Sequence, residues 1–186
     1  MPRNVEIKAR IESVQKLKIV VTAITGDDPV EILQDDTFFR CDAGRLKLRA
    51  FVDGTGVLIF YQRTNAQGPS ESFYSTVTTH APDALRDTLS LAYGQSGRVK
   101  KHRTLFTFGR TRIHLDSVEG LGDYLELEVM MADDEAFEAG EQEAYEIMAR
   151  LGVQKSQLVG TAYVDLLGRL PVAQASSGPS PLGHHH

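Results

Sequence analysis

The chain is 186 residues long, 41% hydrophobic and 24% charged, with a net charge of −5 and a pI near 5.7. This composition fits one soluble globular domain with a real core, and a net negative chain has no overall field to draw a nucleic acid polymer. A single cysteine, Cys41, cannot form an internal disulfide, which suits a reducing cytosol.

Apolar runs such as VLIFY at 57–61 are too short to span a bilayer, and no basic-then-apolar leader opens the chain. A cytoplasmic protein without a membrane partner is therefore expected. In chain order, NVEIK alternates apolar Val5 and Ile7 with polar Asn4, Glu6 and Lys8, the period of a strand with two unlike faces. SVQKLKIVVTAIT has helical spacing, with Ser13 as N-cap and Gly26 as stop. EILQDDTFFR and RLKLRAFV read as strands around the turn CDAG, and DGTG is an Asp-Gly hairpin turn into VLIFYQR. TNAQGPS is a loop before the strand ESFYSTVTT. APDALRDTLSLAYG reads as a helix, with Pro82 near its start and Gly94 past its end. GRVKKHRTLFTF, RTRIHLDSV and DYLELEVMM make three more strands. DDEAFEAGEQEAYEIMARLG is an acid-started amphipathic helix stopping at Gly152, and SQLVGTAYVDLLG closes the domain. Residues 169–186 have the composition of a flexible tail that ends in an expression tag, so His184 to His186 are set aside.

Eight strands joined mostly by short turns, with three main helices, predict an α+β fold with a largely antiparallel sheet. Such a sheet can close on itself, which removes its edges and lines an interior with alternate residues. The polar faces are sorted by sign. Arg45, Lys47 and Arg49 alternate along one strand, Lys101 and Arg103 along another, and Glu126 and Glu128 along a third. Arg63 shares a face with Ile59 and Tyr61, and Arg110, Arg112, His114 and Asp116 share another. Solvated strand faces would mix their charges. An interior lined this way needs a polyanion for its cations and a divalent cation for its carboxylates. A metal-bound polyphosphate meets both needs. Tyr61, Tyr74 and Tyr163 are read as wall packing, and no residue stands out as a general base; His114 has the right chemistry but serves equally well as a structural residue.

These strands resemble a known family. NVEIK is similar to the ExExK signature of the CYTH domain, the triphosphate tunnel metalloenzymes, and RLKLR, LIFYQR and VKKHR resemble its basic strands. IHLDSVEGLGDYLELEV resembles its Asp strand and E-x-E strand, and AYVDLL the closing segment of its class IV adenylyl cyclase branch. The motifs run in order through about residues 3 to 167, within a domain of residues 1–168.

The resemblance implies an eight-stranded antiparallel β-barrel, a triphosphate tunnel, with helices packed outside. It implies that Lys8, Arg45, Arg49, Arg63, Lys101 and Arg103 bind triphosphate oxygens, joined by Lys47 and Arg112 on the same faces. Glu6, Asp116, Glu126 and Glu128 would hold Mg²⁺ or Mn²⁺, and Glu6, Lys8, Arg49, Glu126 and Glu128 would carry catalysis. Asn4 departs from the signature, standing where the first glutamate is expected; its amide oxygen can bind but brings no charge. The leading expectation is a metal-dependent triphosphatase acting on inorganic triphosphate or a triphosphate-bearing small molecule, as a monomer or homodimer. The alternatives are a class IV adenylyl cyclase making cyclic AMP and pyrophosphate, a thiamine triphosphatase, ranked lower because the chain has no Trp, and a lapsed triphosphate-binding module.

Overall fold

The computed structural model describes residues 2–63 and 67–170. Its eight strands are β1 (Arg3–Arg10), β2 (Val30–Phe39), β3 (Arg45–Ala50), β4 (Gly56–Arg63), β5 (Ser70–Thr79), β6 (Gln95–Phe108), β7 (Thr111–Val118) and β8 (Gly122–Met131). They run antiparallel in the order β1-β5-β4-β3-β2-β6-β7-β8, and β8 returns to β1 to close a ring. The seam is uneven. β1 pairs with β8 over eight residues but with β5 over only four, Arg3 to Glu6.

The helices are α1 (Val14–Thr25), α2 (Pro82–Tyr93), α3 (Phe137–Arg150) and a short α4 (Tyr163–Gly168). Their ends follow the sequence signals. The Ser13 hydroxyl accepts from the Lys16 amide, and Gly26 takes the left-handed conformation that closes α1. Pro82 begins α2 and Gly94 ends it. One boundary is corrected and one segment gains detail. α3 starts at Phe137 rather than in the acidic run before it, and the closing segment contains a 3₁₀ turn at Lys155–Gln157 and the helix α4. Part of the TNAQGPS loop (64–66) and most of the expected tail (171–186) lie outside the described residues.

Strand alternation divides the molecule into two environments. Val5, Ile7 and Ala9 on β1, Ile113 and Leu115 on β7, and Leu125, Leu127 and Val129 on β8 point outward into a core closed by Leu17 and Val21 of α1 and Ala144, Ile147 and Met148 of α3. Each of the Val, Ile, Leu and Met side chains among them contributes about 1.5–3 kcal/mol of hydrophobic stabilisation. Helix α3 lies so close to the ring that a Cβ on Gly140 would fall 2.5 Å from Met131 Sδ and 2.7 Å from Val5 Cγ2. Phe38, Val99, Val118 and Tyr124 instead form a second cluster with Ala162, Tyr163 and Val164 at α4. The outer face thus carries the larger core, while the inner face holds this smaller apolar cluster near α4 and charged groups along the rest of its length.

Candidate active site

The residues alternating with the outer core line a cavity of about 210 Å³ inside the ring. Seven cations (Lys8, Lys47, Arg49, Arg63, Lys101, Arg103, Arg112) and four carboxylates (Glu6, Asp36, Glu126, Glu128) line it, a formal surplus of three positive charges. The volume is below the roughly 300–1,000 Å³ of ordinary small-molecule pockets. A compact polyanion suits both its size and its sign.

Cross-strand register sorts these groups. Asp36 lies opposite Arg49 on β3, Arg103 opposite Asp116 on β7, Lys8 opposite Glu126 and Glu6 opposite Glu128 on β8. Asp36 is buried and accepts two hydrogen bonds of 2.8 Å from Arg49, with Lys47 at 3.2 Å and Lys101 at 3.5 Å. Burial would raise its pKa, but Arg49, Lys47 and Lys101 together hold it well below the ordinary carboxylate range. Desolvation in turn pulls Lys101 well below its ordinary value and also lowers Lys47. Lys8 is brought down to about 8 by burial, partly offset by Glu126. Its ammonium lies 4.1 Å from the centre of the Tyr163 ring, a cation–π contact.

On the acidic wall, burial and then the Glu126 charge push Glu6 up to about 7, against the pull of Arg63 at 3.5 Å. Burial opposes ionisation of Glu126, yet His114, Arg103 and Lys8 together keep it well below the ordinary range. Arg112 reaches Glu128 at 3.6 Å from a half-exposed position at the cavity's edge. Burial, and then the Arg103 charge, lower the pKa of His114, favouring the neutral ring.

Ten of the twelve residues expected at the site line this one cavity; Arg45 and Asp116 do not. Arg45 is paired with Asp165 of α4. Asp116 is wholly buried behind the lining, where Arg103 donates two 2.8 Å hydrogen bonds and the Tyr163 hydroxyl one of 2.9 Å. With both oxygens engaged, Asp116 orients Arg103 instead of facing the cavity. Glu126 and Glu128 do come together, and their partner is His114: ligand atoms of the three lie within 4.8 Å of one another. Glu6 and Asp116 are outside that group.

Three participants escaped the sequence reading. In the pair Asp35–Asp36, Asp35 faces out to Arg98 while Asp36 faces in toward Arg49, a distinction that depends on the neighbouring strands. Tyr163 and His114, which the sequence reads equally well as structural residues, stand at the site, the Tyr163 ring against Lys8 and His114 beside Glu126 and Glu128. Asn4 lies within the lining, buried, with its Oδ1 unpartnered.

A closed antiparallel ring with a cationic wall facing an acidic one defines a class of proteins whose interior takes a compact polyanion. The chain belongs to the CYTH domain family, whose match covers residues 2–163. It is 25% identical over 185 residues to adenylate cyclase CyaB of Aeromonas hydrophila, covering 95% of each chain. The fold is also that of protein PH1012 from Pyrococcus horikoshii OT3, with a TM-score of 0.78 at 20% identity, covering 88% of this chain and 98% of that one. It is similar too to HpAC1 from Hippeastrum, a protein with a dominant triphosphatase activity, at a TM-score of 0.62 and 16% identity over 98% and 100% of the two chains. No helix among the described residues is long and apolar enough to cross a membrane.

Proposed function

We propose that this protein is a divalent-metal-dependent triphosphatase that draws a triphosphate chain into the ring and hydrolyses it. The observation that carries the reading is the 210 Å³ cavity with seven cations on its walls, a volume and charge that fit a polyphosphate tail. Arg49, Arg63 and Arg103 present paired donors to phosphate oxygens, and Lys8, Lys47 and Lys101 add point charges. In the free protein Arg49, Lys47 and Lys101 are held by Asp36, Arg63 by Glu6 and Arg103 by Asp116, while Lys8 donates to the Thr161 carbonyl, so they are oriented before substrate arrives and little reorganisation is needed. Glu6, raised to about 7, is matched to take a proton near neutrality. Water attacks the terminal phosphorus, the bridging P–O bond breaks, diphosphate leaves, and Glu6 accepts the proton. The Arg and Lys side chains stabilise the charge that moves to the leaving oxygens.

Glu126, Glu128 and His114 suit a divalent cation, because the His114 Nδ1 is buried and unpartnered beside two carboxylates; we assign the metal, Mg²⁺ or Mn²⁺, to that side of the cavity. When bound, such an ion supplies neutralisation of phosphate charge and acidifies the attacking water.

The likeness to CyaB over 95% of both chains favours a second reading, adenylyl cyclase. There the ribose 3′-hydroxyl attacks the α-phosphorus of ATP, diphosphate leaves and the same glutamate takes the proton. One assay separates the two. The protein is incubated with inorganic triphosphate, ATP or thiamine triphosphate plus Mg²⁺ or Mn²⁺, and the products are identified. Orthophosphate is the expected product, cyclic AMP with diphosphate supports the cyclase, and binding without turnover makes the protein a triphosphate-binding module. Arg49→Ala should weaken triphosphate binding, and Glu126→Gln should abolish turnover. If neither variant alters binding or turnover, the ring is not the site.

A further inference from the structure

His114 is the only member of the acidic wall's ligand group that is not a carboxylate, and its surroundings do not explain it as a packing residue. It lies on β7 directly opposite Glu126 on β8, is 4% exposed, and stands just behind the cavity lining, within 4.8 Å of ligand oxygens of Glu126 and Glu128, which do line it. Its Nδ1 is buried without a hydrogen-bond partner. A buried, unpartnered ring nitrogen loses hydration with no return, and in the tautomer that leaves Nδ1 unprotonated its lone pair is free to bind a Lewis acid. The carboxylate oxygen Oε1 of Glu126 lies 3.9 Å away. That gap is too long for a hydrogen bond. It does lie within the span of two donor atoms that each stand about 2.1 Å from one shared ion.

We propose that His114 is a nitrogen ligand of the divalent cation in the ring and makes the site selective for Mn²⁺ over Mg²⁺. This rests on the reading of the ring as a metal-dependent triphosphate site. The chemistry follows from donor type. Mg²⁺ is a hard ion that takes oxygen ligands and sheds water reluctantly, whereas imidazole nitrogen favours first-row transition ions. An all-carboxylate wall would not discriminate strongly between the two. Here one of the three donors is a nitrogen, and Asn4, which also lines the cavity, adds no charge that would favour the harder ion.

The test is metal binding by the full chain, without substrate and independent of turnover. Mn²⁺ is titrated and the free ion followed by its electron paramagnetic resonance signal; Mg²⁺ affinity is obtained by competition. The wild-type protein should bind Mn²⁺ at least about tenfold more tightly than Mg²⁺. His114→Ala should lose about tenfold in Mn²⁺ affinity and less than threefold for Mg²⁺, and His114→Gln, closer in volume and still polar, should behave likewise if the Ala variant folds poorly. Pulsed resonance of bound Mn²⁺ should show nitrogen modulation in the wild type that is absent from both variants. The histidine run at the C-terminus is common to all three proteins, so the difference reports on position 114. Equal losses for the two metals, or unchanged nitrogen modulation, would overturn the proposal. Glu128→Gln separates the two levels of argument. If it weakens Mn²⁺ binding while the His114 variants do not, only the nitrogen ligand is wrong. If it too leaves Mn²⁺ binding intact, the metal site in the ring is wrong as well.

Discussion

At the scale of single residues, Asp36 is the hinge of the cationic wall. It is 1% exposed, and Arg49, Lys47 and Lys101 all point at it. Removing one partner of a buried ion pair typically destabilises by about 3–5 kcal/mol, because the remaining charge is stranded. Asp36→Asn strands three cations and should fall at the upper end of that range in urea unfolding at neutral pH. A polyanion should then replace the missing carboxylate, so saturating inorganic triphosphate should restore more stability to the variant than it adds to the wild type. An equal increment in both proteins would mean that the three cations are not the phosphate-binding wall. The basic residues of this wall were legible as alternations within single strands. Asp36 was not, because its meaning depends on β2 lying between β3 and β6, and no spacing within one strand encodes a neighbour.

Among the elements, α4 shows most clearly where local pattern stops. Its six residues carry Tyr163, whose hydroxyl reaches Asp116 and whose ring lies under Lys8, and Asp165, which holds Arg45. Read alone, AYVDLL is a short apolar run; against the ring it is a stopper that orients cations from three strands. Glycine at position 97 makes room for it, since a Cβ there would collide with Val164. Alanine is normally better than glycine in a strand, but Gly97→Ala should displace α4 and destabilise by about 1–3 kcal/mol, the usual range for overpacking. Limited proteolysis should then cut between residues 155 and 170 faster than in the wild type, while the ring keeps its circular dichroism. Tyr163→Phe retains the ring contact and loses only the hydrogen bond to the buried Asp116 carboxylate, and should cost about 1.5–3 kcal/mol, the range for hydrogen bonds to charged groups. Unchanged protease resistance in Gly97→Ala would show that α4 is not seated against that strand.

Across the whole molecule, outward apolar and inward charged positions on the same strands separate stability from function, and this much was legible because side-chain alternation fixes both faces at once. The seam was not, since β1 pairs with β8 over eight residues and with β5 over four for reasons of closure and not of local sequence. Packing like charges inside a ring carries an electrostatic cost that should appear as a pH dependence of folding in metal-free, substrate-free protein. Glu6 has its pKa raised from the ordinary 4.5 to about 7 by burial and by Glu126. Between those values the folded state binds the extra proton, so stability falls as pH rises from about 4.5 to about 7, by up to about 3 kcal/mol from this group. Lys8 is lowered from 10.5 to about 8; above about 8 the unfolded state binds the extra proton, and stability rises again toward 10.5. The depressed carboxylates Asp36, Asp116 and Glu126 lose their contributions at pH values below this window and leave it undisturbed. Lys101, Lys47 and His114 are lowered as well and add rising contributions common to wild type and Glu6→Gln, so the Glu6 share is read as the difference between the two in urea unfolding in EDTA. Glu6→Gln, which cannot titrate, should flatten the limb between pH 5 and 7 and leave the alkaline limb in place; a limb of unchanged slope would mean that Glu6 is ionised throughout and is not held against its neighbours inside the ring.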